Sequence, residues 1–128
     1  MRTFGLTPGQ QVEIITAYAA AMKLVNAVTP GPGWVTAGVF WLPSTATAPF
    51  EIIGLVSVNT NVLHARLWDV TAAAAVPNSE ITIAATVETR VLSNPVPLTG
   101  GRLYRIEMEV IGAGGSGTLF TAGLTGVI

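Results

Sequence analysis

The chain has no cysteine among its 128 residues, which removes both a disulfide framework and a thiolate metal site. Charge is scarce too. Six basic and seven acidic residues make up 10% of the chain, where ordinary globular chains carry roughly a quarter. The formal net charge is −1 with both signs intermixed, which excludes the polybasic footprint of a nucleic-acid binder. Although mean hydropathy is +0.59, no apolar run approaches the roughly 18 to 20 residues of a spanning helix, so no membrane insertion is expected. The apolar core of a cleavable signal peptide is also missing, because Pro8-Gly9-Gln10-Gln11 and Glu13 interrupt it. The chain is expected to stay in a cytosol or to leave it by a route without cleavage.

What is present alternates. In Val62 to Thr71, Leu63, Ala65 and Leu67 share one side while His64, Arg66 and Trp68 share the other. In Arg102 to Val110, Tyr104, Ile106, Met108 and Val110 oppose Arg105, Glu107 and Glu109. A period of two sends successive side chains to opposite faces of a pleat, the mark of a half-buried strand. The length suits one domain over residues 1–128, with a core that needs no metal or disulfide.

Residues 1–11 form a polar N-terminal arm, and residues 12–28 fit either a first strand or a helix. Thr7-Pro8-Gly9-Gln10 mimics a helix start, yet Val12, Ile14, Thr16, Tyr18, Ala20, Met22 and Leu24 also make one face of a strand. Thr29-Pro30-Gly31-Pro32-Gly33 is the strongest turn. Strands are predicted over Trp34 to Leu42, Phe50 to Asn59, Val62 to Thr71 and Ile81 to Glu88, with a turn at Pro43 to Pro49 and a loop at Ala72 to Ser79. Ser93 to Pro97 reads as an edge strand, because its prolines cannot donate to a ladder. Gly112 to Gly117 is predicted as a hairpin turn between Arg102 to Ile111 and a last strand over Thr118 to Ile128, with Phe120, Ala122 and Leu124 facing the core. The total is about eight strands.

No constellation for catalysis, a cofactor or a metal emerges. Glu107 and Glu109 have a spacing that could suit a glycosidase pair, but the sequence shows no pocket, and Arg105, Arg66 or Arg90 would balance them. His64 is the single histidine, and the acids lack ligand spacing. No Gly-x-Ser-x-Gly elbow is present, and the glycine run lacks the Lys-Ser/Thr of a phosphate loop.

Trp34, Trp41 and Trp68 lie on or beside strands, and Trp68 shares its face with His64 and Arg66. These five residues are the candidate interface. A tryptophan beside arginine anchors a subunit contact or stacks on a sugar ring, unless a second sheet covers it as core.

The segments Arg66 to Thr71, Val76-Pro77-Asn78-Ser79-Glu80 and Leu98-Thr99-Gly100-Gly101-Arg102-Leu103-Tyr104-Arg105 resemble the small jelly-roll proteins of bacteriophage virions, of the capsid-decoration and tail-fibre-head type. Similar jelly rolls occur in bacterial carbohydrate-binding modules. The resemblance spans residues 34–128 and implies a trimeric, non-catalytic protein that binds a larger particle.

A folded monomer of this mass exposes about 6,400 Å², one charge per roughly 500 Å², which suggests burial against other subunits. The expectation is therefore an all-β, jelly-roll-like antiparallel β-sandwich. It would be a structural protein rather than an enzyme, self-associating as a homotrimer and attached to a protein shell in a virion assembled in host cytoplasm. The alternative is a carbohydrate-binding module that recognises glycans through exposed tryptophans.

Overall fold

The computed structural model describes residues 22–125, and among them there are nine strands and no helix. The strands are β1 (Met22–Thr29), β2 (Val35–Leu42), β3 (Ala46–Val56), β4 (Val62–Asp69), β5 (Ala74–Ala75), β6 (Ile81–Ile83), β7 (Thr89–Leu98), β8 (Arg102–Ile111) and β9 (Gly117–Leu124). They form two antiparallel sheets packed as a jelly-roll-like sandwich. One sheet runs β1-β9-β3-β7; the other runs β2-β8-β4-β5, with β6 also paired to β4.

The alternation of β4 and β8 builds the centre of the second sheet. Leu63, Ala65 and Leu67 of β4 are buried, as are Tyr104, Ile106, Met108 and Val110 of β8. Across the sandwich they meet Phe50, Ile52 and Val56 of β3 and Leu119, Ala122 and Leu124 of β9. Each such large side chain contributes about 1.5 to 3 kcal/mol when taken out of water. Phe40 and Tyr104 stack with ring centroids 5.7 Å apart, and the Tyr104 hydroxyl donates to the Thr99 carbonyl while accepting from the Thr99 N–H.

Several boundaries differ from the sequence reading, each for a local reason. Met22–Thr29 is strand; the arm at 1–11 and the rest of 12–28 lie outside the described residues. β3 begins at Ala46, so the turn predicted at 43–49 is mostly strand. Pro49 is accommodated where the register with β7 shifts, opposite Pro95. The strand predicted over 81–88 stops at Ile83.

Gly112 to Gly117 does not close a hairpin, because β8 and β9 belong to different sheets and the segment carries the chain across the sandwich. Gly112 has φ +132° and lies so close to the Asn61 side chain that a Cβ there would collide with it. On β9 the core residue is Leu119 rather than Phe120. The register against β3 slips by one residue at Phe120, which reverses the alternation there. The edge assignment of 93–97 holds: β7 ends the first sheet and carries Pro95 and Pro97.

Candidate functional site

The outward face of the β2-β8-β4 sheet follows from its register. Thr36, Glu107 and Arg66 form one cross-strand row; Val39, Arg105 and Trp68 form the next. Trp41 and Leu103 begin a third row, where Val70 joins through its N–H to the Leu103 carbonyl. Four residues of β8 separate the outer rows, a span of about 14 Å.

Arg66 is the hub. Its Nε donates to Glu107 Oε1 at 2.9 Å, and the two side chains are only 20% and 10% exposed. Its guanidinium lies 4.0 Å from the centroid of Trp34 and 5.2 Å from that of Trp68, so one cation holds two indoles. The Arg105 guanidinium lies 5.7 Å from the centroid of Trp68.

Trp34 sits just ahead of β2, at the end of the proline-glycine turn. Its position is set by Gly33, whose φ of +103° suits glycine and whose N–H donates to Glu109 Oε1 at 3.1 Å. The Val110 N–H donates to the Gly31 carbonyl and pins the same turn.

Trp34, Arg66 and Trp68 are thus brought together. His64 lies on the same face beside Glu109, with Nδ1 2.8 Å from Glu80 Oε2. Trp41 occupies the other end and is 55% exposed, flanked by the exposed Val39 and Leu103. Sequence reasoning treated Arg105 only as a balancing charge, weighed Glu109 only as half of a carboxylate pair with Glu107, and missed the anchoring of Gly33. The alternation showed that Arg105 shares a face with Glu107, but the register that sets it beside Trp68 has no local signal.

A hollow of about 250 Å³ lies between Asp69, Val76, Pro77, Pro97, Thr99 and Tyr104. Burial pushes the Asp69 carboxyl up, but bonds from the Ala72 N–H and the Arg102 guanidinium outweigh this and hold it below its usual value. Burial raises the Tyr104 phenol. Ser79, fully buried, closes the neighbouring loop by donating to the Val76 carbonyl and accepting from the Leu67 N–H.

No protein-family model matches the chain, and no curated protein matches it in sequence. Solved structures do match its fold. A carbohydrate-binding module, CBM36, in complex with calcium and xylotriose superposes with a TM-score of 0.56 at 8% identity, covering 81% of this chain and 87% of that one. The CBM36-1 domain of a multidomain xylanase from the hindgut metagenome of Trinervitermes trinervoides gives 0.55 at 13% identity, covering 83% and 87%. The VP2 protein of infectious bursal disease virus reaches only 0.47, over 29% of its own length, which is too distant to bear on the assignment.

The expected virion building block, self-associating and bound to a shell, is therefore corrected. Two solved structures that share the fold over more than four-fifths of both chains are carbohydrate-binding modules. Thin charge and alternating strands suit any two-sheet sandwich, and here the few charges are gathered into ion pairs: Arg66 with Glu107, Arg90 with Glu51 and Arg102 with Asp69.

The calcium of the first neighbour has no counterpart donor set among the described residues. Among the described residues no three His, Asp or Glu side chains converge, and Asp69, Glu51 and Glu107 are each turned onto an arginine. The described residues do not fit a calcium centre.

Proposed function

We propose that this chain is a non-catalytic carbohydrate-binding module whose binding face is the outward side of the β2-β8-β4 sheet. The observation that carries the reading is the Trp34–Arg66–Trp68 stack. Two indoles are fixed by one buried-edge cation, on a sheet face that no other described strand covers. Sugar rings present an apolar C–H face with hydroxyls around the rim, and such a ring is recognised by an aromatic surface ringed by charged donors and acceptors. The fold shared with carbohydrate-binding modules supports the reading.

The carboxylates support a binding rather than a catalytic role. Glu107 is held by Arg66, and Glu109 accepts from the Gly33 N–H, so neither is a free acid facing a second one across a cleft.

Affinity electrophoresis against a panel of cell-wall polysaccharides tests the reading. Retardation by at least one polysaccharide is expected, with Trp34→Ala and Trp68→Ala each weakening it. A folded protein that no polysaccharide retards would overturn the proposal.

A further inference from the structure

We infer that the Trp68–Arg105 half of this face takes an acidic sugar, a uronic-acid unit whose ring lies against Trp68 and whose carboxylate seats on the Arg105 guanidinium. The inference rests on the carbohydrate-binding reading and deepens it by naming the ligand class.

Charge on the face is the first observation. Two guanidiniums, Arg66 and Arg105, converge on the single carboxylate of Glu107. Arg66 takes it, with a 2.9 Å hydrogen bond to Oε1. Arg105 Nε stands 3.9 Å from Oε2, beyond hydrogen-bond reach. The other acids of the face are engaged elsewhere, Glu109 by the Gly33 N–H and Glu80 by His64. Immediately around Trp68, two guanidiniums stand against the one carboxylate of Glu107, while Glu109 and Glu80 keep their charge farther along the face beside His64.

The second observation is the unmet donor itself. Arg105 Nε has no hydrogen-bond partner among the described residues; that atom is itself sealed from solvent, but the side chain as a whole is 38% exposed, which leaves the outer end of the guanidinium for a ligand. On its β2 side the cross-strand neighbour is Val39, which offers no acceptor from its side chain. A guanidinium presents a planar fork of N–H groups that matches a carboxylate in two parallel bonds, a fit that a neutral hydroxyl does not reproduce.

The third is the adjoining ring. Trp68 is the register partner of Arg105, with the guanidinium 5.7 Å from its centroid. A free anion would use the arginine and ignore the indole. A carboxylate borne on a sugar ring uses both, and this selects a uronic acid over a small inorganic ion.

The test compares retardation by a glucuronic-acid-bearing xylan, the same polysaccharide after carboxyl reduction, and dextran sulfate. Wild-type protein is expected to bind the acidic xylan about tenfold more tightly than the reduced form, the ratio one charge-assisted hydrogen bond supplies. Arg105→Gln should bring the ratio of acidic to reduced binding down to about one, and Arg105→Lys, which keeps the charge without the fork, should retain part of the preference. Thermal melting of both variants checks that they fold. Equal binding to acidic and reduced xylan overturns this inference and leaves the carbohydrate-binding reading standing. Absence of binding to either overturns both. Dextran sulfate bound as well as the acidic xylan, and lost with it at high salt, overturns the inference as mere polyanion attraction.

Discussion

Arg66 and Glu107 face each other across β4 and β8 as register partners, Nε to Oε1 2.9 Å, beneath the indole of Trp34. Glu107 is mostly shielded from solvent, yet it lies on the outward face of the sheet. Its partner Arg66 lies in turn against Trp34.

Replacing Glu107 by Gln strips Arg66 of its charge partner. Stability is expected to fall by about 2 kcal/mol in urea unfolding, the scale of a hydrogen bond between charged groups. Polysaccharide binding should weaken with it, since Arg66 is what holds both indoles. An unchanged midpoint would mean that the pair contributes nothing.

Acid should unfold the protein in part through Asp69. Its folded value lies below the ordinary one, so its contribution is present above the unfolded value and is lost as pH falls through the folded value. Melting temperature measured from neutral pH to below about 4 is expected to drop, and Asp69→Asn should flatten that limb while lowering stability at neutral pH.

Tyr104 predicts the opposite limb. Its phenol is raised, so stability is full below the unfolded value of about 10 and declines as pH rises above it. Tyr104→Phe should lose about 1 kcal/mol near neutrality with the bonds to Thr99, and should lessen the alkaline decline in a pH series of melts.

Gly33→Ala meets no steric obstacle, only the cost of a left-handed backbone, about 1 kcal/mol. Because this glycine sets Trp34, binding should weaken more than stability does. Gly31→Ala, equally uncrowded and not left-handed, should leave both unchanged when the two are titrated side by side.

Leu119→Ala is expected to cost about 2 to 5 kcal/mol, as core truncations do, and Phe120→Ala much less. Equal losses in denaturant melts would place the register slip elsewhere.

That slip marks where the sequence stopped being legible. The faces of β4 and β8 were readable residue by residue, because nothing interrupts their alternation between Val62 and Asp69 or between Leu103 and Val110. β9 was misread at Phe120 because a bulge depends on the partner strand, not on the strand that carries it. The Gly112 to Gly117 crossing was mistaken for a hairpin for a related reason: glycine reports a turn, and it does not say which sheet the chain enters next.

The site was half visible. Trp34, Arg66 and Trp68 were named from their faces, but Trp34 reaches Arg66 only because β2 pairs with β8, a contact between residues far apart in the chain. Arg90 was offered as a partner for Glu107, yet it bonds Glu51 on the other sheet, since charge alone does not assign a strand to a layer.

The prolines of β7 and the slip in β2 between Thr36 and Gly38 have a bearing on how the protein behaves when concentrated. Among the described residues each of these strands is one margin of its sheet, where a stranger's backbone would dock. The β7 margin lacks donors at Pro95 and Pro97, and the β2 margin is kinked out of step, so these two edges are poor templates for fibril growth despite a chain this poor in charge.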